Sequence, residues 1–160
     1  MRSNRVFNCL FAMVILLHFI LRYPYSKSQT DLDGMQLTIY SMQAIKVGHF
    51  PDWLSFLSLA GLYPFSYPAA SSTIIAVLGL VTNLDLNIIS LILANFFSLM
   101  GIFGVFLCIR EFFPTSYLYP VIGMYLFSAS YYYISFTTWA SSSRGPHMSI
   151  LPFFIFALLK

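Results

Sequence analysis

Residues 86–109 read LNIISLILANFFSLMGIFGVFLCI, and the next charged residues are Arg110 and Glu111. An α-helix rises about 1.5 Å per residue, so this run is long enough to cross a hydrocarbon core about 30 Å thick. Its reading decides the fold class, because the whole chain shares its character. Of the 160 residues, 59% are hydrophobic and 8% are charged, and the mean hydropathy is +0.79. A soluble domain carries about 25% charged residues. So little charge cannot solvate a globule of this size, and the expectation is an all-α, polytopic helical membrane protein.

Toward the N-terminus, Val6–Leu21 is a second apolar run, behind Arg2 and Arg5. Those basic residues put the N-terminus in the cytoplasm. A cleaved signal peptide is the alternative, but RYPYSKSQ offers only a poor small-x-small site at Ser26 and Ser28. Toward the C-terminus, Phe113–Pro114 breaks the chain, and Tyr117–Thr138 forms a further span, rich in Tyr and Phe at its far end. A polar loop follows, SSSRGPH from Ser141 to His147, and Met148–Leu159 begins another span that is still short of crossing at Lys160. The reading is a single transmembrane module over 1–160, the N-terminal part of a longer protein. Its spans fall at 6–21, 86–109, 117–138 and 148–160, and its outer loop is 22–85.

That loop contains the one long polar interval, Thr30–Trp53, TDLDGMQLTIYSMQAIKVGHFPDW. Leu32, Met35, Ile39 and Met42 recur at spacings of three and four and predict a helix over 32–47. Thr30 or Asp31 can cap it, and Gly48 and Pro51 stop it. Its apolar stripe suits a helix lying in the membrane interface, against lipid or other spans. Trp53, Tyr63 and Tyr67 are aromatics expected at headgroup level. Residues 64–82 either cross or recline as a second interfacial helix before the polar turn at Asn83, Asp85 and Asn87. If they recline, Arg2, Arg5, Arg110 and Lys160 are cytoplasmic, and Arg22, Lys27, Lys46 and Arg144 are outside. If they cross, Arg110 and Lys160 move out and only Arg144 moves in. The positive-inside rule favours reclining. The expected location is the cell membrane, multi-pass, with the outer loop and SSSRGPH on one side.

The formal charge of +3 is scattered, with no basic run of the kind nucleic acid needs. Cys9 and Cys108 lie in apolar runs and read as packing residues. No Cys/His cluster, Gly-rich phosphate loop or Gly-x-Ser-x-Gly elbow occurs, so neither a metal nor a cofactor is expected. The spans show no charge at mid-depth and the acidic residues lie in loops, which speaks against a transporter.

Two groups can carry chemistry. Asp31 and Asp33 stand at a helix start, where a carboxylate caps free N–H groups; the functional reading is a general base at the membrane surface, taking the proton of an attacking acceptor hydroxyl. Arg144 and His147 read either as a snorkelling interfacial arginine with a bystander histidine, or as a clamp in which the guanidinium pairs with phosphate. Gly145 and Pro146 would hold a tight turn there.

The order TDLDG, MQLTIYSMQAIKVG, GHFPDW, GLYPFSYP and SSSRGPHMSILPFF resembles the N-terminal part of the GT-C superfamily of multi-span glycosyltransferases. It is most similar to the large prokaryotic membrane proteins labelled as related to 6-pyruvoyl-tetrahydropterin synthase and to YfhO-type proteins, and more loosely to oligosaccharyltransferases. The resemblance implies sugar transfer from a polyprenyl-phosphate-linked donor to a glycan, lipid or protein acceptor on the outer membrane face. It implies Asp33, then Asp31, as the catalytic carboxylate, with Arg144 near the donor phosphate. Family members often carry an acidic residue in the second outer loop, where this chain has His147. The competing expectation is a non-catalytic polytopic membrane protein or remnant of the same ancestry.

Overall fold

The computed structural model describes residues 2–24, 32–49, 53–54, 63–64, 69–138 and 144–160. The described chain is helical apart from one two-residue antiparallel ladder, β1 (Trp53–Leu54) with β2 (Tyr63–Pro64). The helices are α1 (Arg2–Leu21), α2 (Leu32–Val47), α3 (Ala69–Thr82), α4 (Leu86–Phe112), α5 (Leu118–Ala129), α6 (Tyr131–Thr137) and α7 (Arg144–Leu159).

Local chemistry sets the helix ends. α1 closes with tight bonds from the Arg22 and Tyr23 N–H groups to Phe19 and Ile20, just before Pro24, which disfavours further helix. Gly48, at φ +81°, ends α2, and its N–H bonds to the Ala44 carbonyl. Asn83 takes φ +54° in the turn after α3. Asp85 then caps α4 by accepting from the Asn87 N–H at 2.7 Å. The α4 helix runs 27 residues, about 40 Å, to the Phe113–Pro114 stop.

The long α4 is the spine. Phe7 and Phe11 of α1 meet Phe106 and Phe103, while His18 reaches Ser98, so α1 runs antiparallel to α4. The α5 helix is antiparallel too, and α7 runs parallel, from Ser149 near Gly101 to Lys160 paired with Glu111 at 3.3 Å. Val14, Ile102, Val121, Met124 and Tyr133 form the core of this half. The other half of α4 carries α3, which doubles back along it, and α2, whose Ile45 packs at Gly79 and whose Ser41 hydroxyl donates to the Ser72 carbonyl.

One detail differs from the sequence expectation, and one refines it. The stretch 117–138 is not one helix. It breaks at Ser130, whose extended backbone (φ −60°, ψ 124°) ends α5 and starts α6 without a Pro or Gly. In α2, Met35 and Met42 of the expected stripe face outward, whereas Gly34, Leu37, Tyr40 and Ser41 are buried.

Among the described residues, α4 is the one helix long and apolar enough to cross a membrane. The α4–α7 contact depends on small residues. A side chain at Gly101 would collide with the Tyr133 hydroxyl and lie 3.1 Å from the Ser149 Cα; one at Gly104 would lie 2.9 Å from the Pro152 Cβ. We expect Gly101→Val to destabilise the protein by about 1–3 kcal/mol. Leu126→Ala, on an exposed position, should change little. Thermal unfolding in detergent measures both.

Candidate functional site

The buried side chains of this bundle are polar to an unusual degree. His18, Arg22, Ser98, Ser128, Thr137 and Ser149 all have essentially no exposed surface. They converge where the C-terminal ends of α1, α5 and α6 meet the middle of α4 and the first turns of α7.

Arg22 follows the last residue of α1, one turn beyond His18, so the two side chains emerge on the same face. Its guanidinium is 1% exposed. Nε donates to Thr137 Oγ1 at 3.0 Å, and Nη1 donates to the Ser128 carbonyl at 3.3 Å and to Ser128 Oγ at 3.4 Å. The guanidinium also lies 5.1 Å from the Tyr133 ring centre. The break at Ser130 explains why a cation belongs here. It opens a C-terminal end of α5 that carries partial negative charge and carbonyls without helical partners, one of which, at Ser128, accepts from Arg22. Arg22 thus joins a carbonyl at the end of α5 to the Thr137 hydroxyl at the end of α6.

His18 continues the network. Nδ1 lies 3.0 Å from Ser128 Oγ and Nε2 lies 2.8 Å from Ser98 Oγ. Ser98 in turn donates to the Asn95 carbonyl at 2.9 Å. A neutral imidazole protonated on Nε2 satisfies this pattern. Ser128 accepts from Arg22 and donates to Nδ1, and Nε2 donates to Ser98. The bonds then run in one direction from Arg22 through Ser128, His18 and Ser98 to a backbone carbonyl of α4. Beside this line, the Tyr133 hydroxyl donates to the Ser98 carbonyl at 2.9 Å and lies 3.0 Å from Ser149 Oγ.

One donor of the network has no partner: Arg22 Nη2 is buried and unbonded. Two of the chain's five acidic residues have described side chains, and neither meets Arg22. Asp85 caps α4, and Glu111 pairs with Lys160. Among the described residues Arg22 is held by neutral groups, and burying such a charge is expensive, by several kcal/mol before its hydrogen bonds are counted.

A cavity of about 160 Å³ adjoins this network, between α3, α4, α6 and α7. Its wall is mostly apolar, with Ile75, Leu93, Phe97 and Phe136 among its residues. Thr137, the acceptor of the Arg22 Nε bond, is part of the wall. So is Ser90, buried on α4, whose hydroxyl has no partner.

The residues singled out from the sequence lie elsewhere. Asp31 is outside the described residues, and Asp33 is the second residue of α2. Arg144 and His147 share the exposed first turn of α7, where Arg144 lies 5.2 Å from the Phe136 ring centre. Gly145 and Pro146 are helical here and line the cavity rather than forming a turn. Arg144 and His147 are thus brought together beside the cavity. Their helix packs on the second half of α4, whereas the helix of Asp33 packs on α3 and the start of α4. Among the described residues no group of His, Cys, Asp and Glu is arranged to hold a metal ion.

Sequence reading missed Arg22 and His18. In the sequence Arg22 reads as an outer-loop cation, and His18 lies inside an apolar run. Their spacing of four is the available signal, since it puts two ionisable side chains on one face of an apolar helix.

The network yields a direct stability test. In Arg22→Lys the charge remains, but one ammonium cannot reproduce the fork that spans Ser128 and Thr137. We expect a loss of about 1.5–3 kcal/mol, the value of a hydrogen bond to a charged group, in thermal unfolding of the detergent-solubilised protein. An unchanged midpoint would mean that the fork is not holding the helix ends.

No family model, no curated protein and no solved structure matches this chain.

Proposed function

We propose that the chain is a multi-pass membrane module, embedded through α1, α4, the α5–α6 pair and α7, with its N-terminus in the cytoplasm. Reversed polarity is the observation that carries this reading. Only 22% of the most apolar 18-residue window of α4 is buried, whereas the core helix of a soluble protein is mostly buried. Its buried positions include Ser90, Ser98, Gly101 and Gly104, while Ile88, Ile92, Phe96 and Phe103 point outward. The α7 helix repeats the pattern, with Gly145, Ser149 and Pro152 inside and Ile150, Leu151, Phe154 and Leu158 outside. Lipid removes the penalty on apolar exposure and rewards small and polar residues at helix contacts.

Within that reading, the chain is the N-terminal part of a GT-C-like glycosyltransferase that takes a sugar from a polyprenyl-phosphate-linked donor. Two features support it. Arg144 stands exposed in the first turn of α7, where free N–H groups and a guanidinium together favour phosphate. Beside it lies a mostly apolar cavity. Asp33 is the candidate base for the acceptor hydroxyl and Asp31 its alternate, with His147 flanking Arg144. A membrane lipid surface is the implied environment, and a glycan, lipid or protein is the acceptor class.

A second reading, a carrier rather than an enzyme, is favoured by one specific observation. The buried Arg22 lies at a discontinuous helix inside the bundle, an arrangement that transporters use at their binding sites.

Two measurements test the proposal. The chain should stay in the membrane pellet after alkaline carbonate extraction, and release into the supernatant would refute membrane embedding. In the intact enzyme, Asp33→Asn should reduce sugar transfer by at least about a hundredfold, the lower range for loss of a general base, without changing membrane insertion. Normal transfer by that variant would exclude Asp33 as the base.

A further inference from the structure

We propose that the cavity between α3, α4, α6 and α7 binds a small hydrophobic carboxylate. Its apolar body would rest among Ile75, Leu93, Phe97 and Phe136, and its charge would be balanced by Arg22 behind Thr137. The inference does not rest on the glycosyltransferase reading.

Three observations converge on this ligand class. The first is size. The cavity holds about 160 Å³, close to the roughly 150 Å³ of an engineered apolar cavity that takes up benzene. A group the size of one aromatic ring fits it.

The second is the polar equipment. Ser90 is 1% exposed, its hydroxyl has no partner, and it is part of the wall. An unsatisfied hydroxyl in an otherwise apolar pocket gains a hydrogen bond when a ligand oxygen arrives, whereas a wholly apolar ligand leaves it unpaired. Thr137, also of the wall, takes the Arg22 Nε bond at 3.0 Å, so the guanidinium stands one hydroxyl behind the pocket surface.

The third is charge. Arg22 has an unbonded Nη2 and no carboxylate partner among the described residues. Its neighbour His18 bridges two serine hydroxyls, and the Arg22 guanidinium brings the centre a positive charge. One negative charge neutralises it. A carboxylate supplies one, whereas a phosphate monoester carries about −1.5 to −2 near neutral pH and would overshoot. In a low-dielectric interior that balance decides between ligands more strongly than at a surface.

The test uses the full chain in detergent micelles and equilibrium dialysis against benzoate, benzyl alcohol and inorganic phosphate, each corrected for empty micelles. Benzoate should bind at least about tenfold more tightly than benzyl alcohol, the factor expected of one charge-assisted interaction, and inorganic phosphate should not bind. Ala94→Phe, which fills the cavity from its α4 wall, should abolish binding of both ring compounds. Arg22→Gln should erase the preference for benzoate while leaving benzyl alcohol unchanged. If Arg22→Gln does not fold, Ser90→Ala replaces it and should weaken benzoate several-fold. Equal affinity for benzoate and benzyl alcohol in the parent protein would overturn the proposal. So would full benzoate binding by folded Ala94→Phe, or tighter binding of inorganic phosphate than of benzoate.

Discussion

The guanidinium of Arg22 ties together helix ends that would otherwise be left open. A helix broken inside a membrane exposes carbonyls that lipid cannot satisfy, so a break survives only where protein groups take those bonds. Here the break at Ser130 divides one span-length segment into α5 and α6, and Arg22 reaches Ser128 at the end of the first and Thr137 at the end of the second. His18, one turn earlier, carries the network across to Ser98 on α4. The sequence distances are large, 106 residues from Arg22 to Ser128 and 80 from His18 to Ser98. These bonds therefore fix tertiary arrangement rather than local structure.

The rest of the bundle follows from the same exchange of inside for outside. Leu, Ile and Phe gather on outer faces, as the proposed lipid setting would favour. The inner faces are then free to hold groups that attract in a dry interior. Small residues bring backbones close, as Gly101 and Gly104 do for α7. Hydroxyls bond to carbonyls one turn back, as Ser149 does to Gly145 and Thr137 to Tyr133. What such an interior tolerates poorly is an uncompensated charge. Arg22 breaks the rule, and a site beside a polar break is where a protein of this kind keeps such an exception.

Much of the helical layout was legible because apolar periodicity and stop signals are local. The run from Leu86, the Asp85 cap and the Phe113–Pro114 stop can be read without knowing any neighbour. The break at Ser130 could not be read that way, because neither Pro nor Gly marks it and its compensation comes from Arg22, far away in sequence. The inward face of α2 is likewise set by its neighbours, because its apolar stripe suits lipid as well as other spans. Met35 and Met42 face outward, while the small Gly34 and Ser41 are buried beside Leu37 and Tyr40. The carboxylates Asp31 and Asp33 drew attention as chemistry-bearing residues in a polar loop. Arg22 and His18 were overlooked because a cation at the end of an apolar run resembles an ordinary interfacial anchor until its partners are known.

The most direct measurement is solvent and lipid accessibility at the outward faces of three different helices. Single nitroxide labels at Phe103 of α4, Leu126 of α5 and Phe154 of α7, in the protein reconstituted into vesicles, report collisions with molecular oxygen and with a polar nickel chelate. The account predicts that oxygen dominates at all three positions, since each side chain points away from the bundle toward hydrocarbon. Dominance of the nickel chelate at these positions would place the faces in water or at a protein contact. It would contradict the inside-out bundle on which the reading of Arg22 and the cavity depends.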